Sequence, residues 1–276
     1  MGIKSYFILS VLLGFFMLPV NTFAAFHSKM YGPPTTALAG SGRALFQPDY
    51  AVFVNPATAF LDSSRLGRID LGYRNFYGLQ GIQQLTLSCA LAVKGHPLGF
   101  GFSRYGNNLY AENELRMGYN FALGPAFRVG ASLNVYALEI RNYGQAQTFG
   151  FDVAGIYIIN SVLRTAFVLS NLHHPEIGRS GERINPTIAG AFVYQPVESM
   201  QLAFDIVNET DIEFDYRLGL IYNYWRWLKF RAGVRQNVDL WSVGLEAGQD
   251  TYAIHYTFEY HMQLGASHAV GFSYAL

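Results

Sequence analysis

The chain has a single cysteine among its 276 residues, Cys89. That excludes an intrachain disulfide and a metal cluster built on thiolates. Cys89 sits on an apolar strand face and reads as a small hydrophobe. Charge is also scarce: Asp, Glu, Lys and Arg make up 14% of the chain, against roughly a quarter in ordinary globular proteins. The 19 basic residues balance the 19 acidic ones, so the basic excess that marks a nucleic-acid partner is missing. Long hydrophobic runs are missing too. The longest, Phe7 to Val20, is about 14 residues, and a spanning helix needs ~20. It follows Lys4 and precedes Thr22-Phe23-Ala24, which places small residues at both determinant positions of a signal-peptidase site. Residues 1–24 are therefore expected to be a signal peptide. An exported membrane protein with no spanning helix must cross lipid with strands, because only helices and closed barrels satisfy the backbone there.

Aromatic residues and glycine are plentiful. Aromatics make up 16% of the chain, with 19 Tyr, 22 Phe and 28 Gly. From Arg68 onward, apolar residues recur at every second position. Leu115, Met117, Tyr119 and Phe121 alternate with Glu114, Arg116, Gly118 and Asn120. Leu228, Phe230, Ala232 and Val234 alternate with Lys229, Arg231, Gly233 and Arg235. Tyr252, Ile254, Tyr256, Phe258 and Tyr260 alternate with Ala253, His255, Thr257, Glu259 and His261. A period of two is the signature of a strand with one apolar face. Fourteen such segments follow one another, and the last ends on Phe272, Tyr274 and Leu276.

The charges fall on the face that carries Gly, Ser, Thr and Asn. Among them are Arg116, Arg128, Asp152, Asp205, Lys229, Arg231, Arg235 and Glu259. Arg104 and Glu139 are exceptions, both near strand ends. A lipid-facing Arg or Lys at the bilayer midplane costs ~2–4 kcal/mol, so this partition fits a barrel with an apolar outside and a polar lumen. The expected fold is all-β: a 14-stranded antiparallel transmembrane β-barrel over residues 68–276, closed by pairing the last strand onto Ile69–Tyr73. Turns such as Asn160–Ser161 and Trp225–Arg226 are short. Gly106–Ala111, Arg141–Ala146, Ser170–Pro186 and Asn208–Phe214 are longer and more polar, which puts them on the outside of the cell and the short turns in the periplasm. The expected location is the outer membrane of a Gram-negative bacterium, with outer-membrane lipid as a partner.

Residues 25–67 do not alternate. Pro33-Pro34, Gly40 to Gly42, Pro48 and Pro56 break them up. Short helical turns are expected around Thr36–Ala39 and Ala57–Leu61. Such a segment ahead of a barrel either plugs the lumen or lines the periplasmic mouth.

With this segment and the strands in place, the chain resembles the PorV/PorQ family, part of the wider group of barrels that includes the fatty-acid transporter FadL. The resemblance is carried by TALAGSGRALFQPDYAVFVNP, Thr36 to Pro56, running into Asn55-Pro56-Ala57, with Asp49 as the acid of the turn. Thr58 stands where the family usually has Gly. Asn171-Leu172 and Pro175-Glu176-Ile177-Gly178 match a further segment. The PorV side implies a barrel that serves protein secretion or surface assembly through secretion-system partners. The FadL side implies a channel for uptake or export of a hydrophobic ligand. Neither implies an enzyme or a cofactor.

The remaining clusters point to chemistry only weakly. Ser242, His255, Glu259 and His261 hold the residue types of a hydrolytic triad, but on a lumen face they read first as polar partners of the inward arginines. His173-His174 with Glu176 and Glu182 lacks the spacing of a zinc site. Asp211, Glu213 and Asp215 read as loop acids before they read as a calcium site. Gly40-Ser41-Gly42 lacks the strand before it and the Lys-Ser/Thr after it that a phosphate loop needs. Lys229, Arg231 and Arg235 form a basic stripe that is either an anion path or a set of partners for acids such as Asp205, Glu246 and Glu259. Gly99 and Gly101 suggest a kink that opens the barrel wall sideways.

Overall fold

The computed structural model describes residues 25–26, 29–46, 49–58, 67–94, 96–179, 181–209, 213–249 and 251–276. The expected signal peptide and Asp211 lie outside the described residues, as does the end of the turn expected at Ala57–Leu61.

Strands form where the alternation is strict. They are β1 (Gly67–Asn75), β2 (Gln83–Val93), β3 (His96–Gly106), β4 (Tyr110–Ala122), β5 (Phe127–Ile140), β6 (Gly144–Ile158) and β7 (Leu163–Ser170). Two short strands follow, β8 (Glu176–Ile177) and β9 (Glu182–Arg183). The rest are β10 (Thr187–Val197), β11 (Met200–Glu209), β12 (Asp215–Trp225), β13 (Leu228–Arg235), β14 (Leu240–Gly248), β15 (Tyr252–His261) and β16 (Gly265–Ala275). Among the described residues, β8 and β9 form a separate hairpin and the other fourteen strands close into one antiparallel barrel. Closure follows the expected register: Ile69 lies opposite Tyr274, Leu71 opposite Phe272 and Tyr73 opposite Val270.

The two faces differ as the pattern requires. Ile254 is 60% exposed on the outside, and its neighbour His255 is 1% exposed in the lumen. The two outward charges cancel each other. Arg104 and Glu139 lie 3.6 Å apart, and Asn113 bridges them, accepting from Arg104 at 2.8 Å and donating to Glu139 at 3.1 Å. Placed near strand ends, each costs only ~0–1 kcal/mol against lipid.

Three features depart from the expectation. The connections at 107–109 and 141–143 are shorter than foreseen, because the ladders run on into the expected loops. At 14 and 15 residues, β5 and β6 exceed the ~9–11 that a span needs. The kink at Gly99 and Gly101 is not formed: β3 pairs with β2 and β4 with no break in register. Those glycines instead give room to residues inside the barrel, since a Cβ at either would press on Val52, and at Gly101 also on Phe53. The third departure is an open edge on β6 beside β7, whose 8 residues match the expected length. β7 pairs with β6 only from Asp152 to Ile158, so among the described residues β6 has no ladder partner on that side from Gly144 to Phe151. The chain after β7 covers part of this edge. The Asn171 N–H donates to the Phe151 carbonyl at 3.1 Å, and the His173 ring stacks on Phe151 at 4.8 Å.

Candidate functional site: a luminal segment beneath an aromatic vestibule

Residues 29–46 and 49–58 pack against the inner face of the barrel. Helix α1 (Pro33–Ala37) begins on prolines, whose missing N–H groups cost nothing in a first turn. Thr35 and Thr36 hydroxyls both donate to the Gly32 carbonyl at 3.0 Å. This helix lies against β13 to β16 and β1. Helix α2 (Ala51–Val54) and the 3₁₀ turn Pro56–Thr58 lie against β3 to β6.

Glycine on the inner wall makes this seating possible. A Cβ at Gly72 would meet Tyr50 and Pro33, at Gly118 Val52, at Gly130 the backbone of Pro56–Ala57, and at Gly233 the backbone of Leu38–Ala39. Hydrogen bonds then fix the segment. Ser242 donates to the Ala37 carbonyl at 2.9 Å and accepts from the Ala39 N–H at 3.1 Å. Thr257 donates to the Pro33 carbonyl at 2.8 Å, and Asn120 to the Pro56 carbonyl at 3.1 Å. The Asn55 side chain ties two passes of the segment together: it donates to the Arg43 carbonyl at 2.7 Å and accepts from the Ala57 N–H at 2.8 Å. Asn55, Pro56 and Ala57 are all fully buried.

Ion pairs account for nearly all the inward charges named from the sequence. Arg116 joins Asp152 at 2.8 Å, pairs with Glu114, and donates to the Phe53 carbonyl at 3.3 Å. Asp205 accepts from the Gly42 N–H at 3.0 Å and pairs with Arg43 at 2.9 Å. Arg235 pairs with Asp215 at 2.6 Å. Glu259 pairs with Arg74. Arg231 and Lys229 both pair with Glu246, at 2.6 and 2.7 Å. The basic stripe is thus matched by carboxylates, as an anion path would not be. Arg128 lies half-buried at the start of β5.

The triad residue types do not converge. Ser242 is committed to the luminal segment, and His255 Nε2 faces the Ser273 hydroxyl at 2.9 Å. Asp49, Glu246 and His255 do meet, with one potential ligand atom from each lying within 4.8 Å of the others. Arg68 sits 2.7 Å from Asp49, and Arg231 holds Glu246, so these acids are already neutralised by arginine. His173 and His174 do not join Glu176 and Glu182 in a cluster: Glu176 pairs with Arg183 at 3.2 Å, and Glu182 accepts the Ala25 N–H at 3.1 Å. Asp215 is taken by Arg217 and Arg235.

Above the luminal segment, at the long-loop end, is a cavity of 640 Å³. Phe76, Tyr77, Tyr105 and Tyr110 line it with Leu138, Ile140, Val238 and Leu240, and Lys29 and Met30 form part of its floor. Phe76 meets Tyr105 edge-on at 5.3 Å, and Tyr77 meets His261 edge-on at 6.0 Å. Burial raises the Tyr77 hydroxyl pKa above that of an ordinary phenol, so it stays neutral here. The cations on the wall are occupied. Lys29 pairs with Glu112 and lies over the Phe26 and Tyr105 rings at 4.9 and 5.0 Å. Arg74 is paired with Glu259 and stacks on Phe76 at 4.1 Å. The result is an aromatic and aliphatic cup whose cations Lys29, Arg74 and Arg235 are each paired with a carboxylate.

Comparison with solved structures decides the architecture. The toluene transporter TodX of Pseudomonas putida matches with a TM-score of 0.68 at 12% identity, over 92% of this chain and 99% of its own. The toluene transporter TbuX of Ralstonia pickettii matches with a TM-score of 0.69 at 10% identity, over 91% and 100%. The fold is that of a FadL-like outer-membrane barrel. A FadL homologue of Pseudomonas aeruginosa agrees, with a TM-score of 0.64 at 12% identity, over 91% of this chain and 99% of its own. No protein-family model and no curated protein matches the sequence.

Two parts of this site escaped the sequence reading. The cup is assembled from the ends of distant strands and the loops between them. The other is an apolar stretch of the inner wall. Ala154, Ile156, Ala166, Val168, Ala189, Ala191 and Val193 are all buried and pack with Leu45 and Ala57. Its signal was present in β10, where Ala189, Ala191 and Val193 break the polar side of the alternation.

Proposed function

We propose that this FadL-like barrel is an outer-membrane channel for a hydrophobic small molecule, with its long-loop end facing out of the cell. The vestibule carries this reading. Ligand sites are concave and mostly apolar, with few polar groups placed to orient the guest, and this cup offers rings, aliphatic walls and cations already paired with carboxylates. The fold supports it, since solved barrels of the same architecture include toluene transporters. The luminal segment acts as a plug that keeps the bore shut to water. The secretion role implied by Asn55-Pro56-Ala57 draws no support from the vestibule, and those residues serve here to cross-link the luminal segment.

Calorimetric titration of the purified barrel with toluene and with decanoate tests this. Saturable binding of at least one is expected. Each ring contact contributes about 1 kcal/mol, so the F76A/Y105A double variant should bind on the order of 30-fold more weakly. Absence of binding by either probe, with outer-membrane proteins co-purifying in fixed ratio, would replace this reading by the secretion role.

A further inference from the structure

We infer that apolar solutes pass the luminal segment along one wall of the barrel, between Leu45 and Ala57 on the segment and strands β6, β7 and β10. This rests on the channel reading above. The luminal segment is not held evenly. Side chains of β1, β4, β11, β12, β14 and β15 grip it through Arg68, Asn120, Asp205, Arg217, Ser242 and Thr257. Toward the three adjacent strands β6, β7 and β10 the segment instead presents Leu45 and Ala57 to a buried apolar wall.

The register shows why. Ala154, Val168 and Ala189 form one row across the three strands, and Ile156, Ala166 and Ala191 form the next. Leu45 and Ala57 pack against these rows in a single apolar cluster. Sliding the segment off a hydrogen-bonded wall strips buried donors and acceptors of their partners, at the full desolvation cost. Parting it from the Ala, Val and Ile rows of this wall breaks apolar contacts, and an apolar solute restores those as it enters. A polar solute or water restores nothing, so the same seam discriminates.

The route has a start and an end. A second cavity of 70 Å³ lies at the top of the seam and shares Lys29 with the vestibule; Phe53, Val54 and Val168 line it together with the polar Arg43, Arg116 and Glu209. At the foot of the seam Arg164 covers the Phe46 ring at 5.1 Å and donates to Gln195 at 3.1 Å. That residue bounds the apolar rows towards the short-turn end.

Uptake of radiolabelled toluene by Gram-negative cells expressing the full chain tests the route. The variants are A191L, which fills the seam, and L45A, which loosens it. Phe192, on the outer face of the same strand, supplies the control as F192L. Folding of each is checked by its heat-modifiable gel mobility. A191L should lower the initial rate about fivefold or more, and L45A should raise it, while F192L leaves it unchanged. If A191L does not insert, L45A alone decides. Wild-type rates in the folded seam variants overturn the route and leave the channel reading intact. No chain-dependent uptake in the wild type, together with no binding at the vestibule, overturns both.

Discussion

Replacing Gly233 with leucine is expected to turn a sealed barrel into a water-filled pore. A Cβ at Gly233 would collide with the Leu38 and Ala39 backbone. Overpacking a core costs about 1–3 kcal/mol when side chains can yield. Here the obstacle is backbone, and it is pinned on both sides by Ser242 through Ala37 and Ala39. The strain is relieved by expelling the segment, not by a rotamer change. Small barrels fill their bore with their own side chains, and wider ones leave an aqueous channel unless something fills it. Reconstituted in planar bilayers, the wild type should give no persistent conductance steps, and G233L should give long-lived ones. G190L is the control, because a Cβ at Gly190 meets nothing within 4 Å. Silent bilayers with properly inserted G233L would show that the segment does not close the bore.

R116A should be the most destabilising single change in the lumen. Arg116 holds Asp152 and Glu114 at once, both about 1% exposed, and its guanidinium lies 5.5 Å from the Tyr31 and Phe53 rings. Tyr31 also donates to Glu114. Alanine at 116 would leave two buried carboxylates without their cation, a loss of about 3–5 kcal/mol. Urea unfolding in lipid vesicles measures this as a drop in midpoint. The triple variant R116M/E114Q/D152N should recover most of it, since replacing a whole buried ion cluster with neutral groups is often nearly free. A midpoint for R116A within ~1 kcal/mol of the wild type would mean that the cluster contributes little to holding the lumen together.

The barrel itself was legible in the sequence because lipid imposes a strict rule on every second residue. Strand positions, the lipid-facing register and the Ile69–Tyr274 closure all follow from that rule. The seat of the luminal segment was harder to see. It depends on contacts between a non-periodic stretch and inner-wall glycines, and a glycine in a strand looks the same whether it bends the strand or admits a neighbour. Gly99 and Gly101 show the difference, being fully paired and packed under Val52 and Phe53. Pairing partners were also hidden. Asp205 looked like a match for the basic stripe on β13, yet it bonds Arg43, some 160 residues earlier in the chain. Nothing local in the sequence brings those two together. The vestibule draws on both ends of the chain, from Met30 to His261, so no single motif could announce it.

The central claim is that the vestibule receives an apolar molecule. Crystals of the barrel soaked in bromobenzene test it most directly, through the anomalous signal of bromine. The expected result is a bromine peak in the cup bounded by Phe76, Tyr105, Tyr110 and Leu240. Peaks confined to the outer, lipid-facing groove beside Phe230 and Leu245, with the vestibule empty, would contradict it.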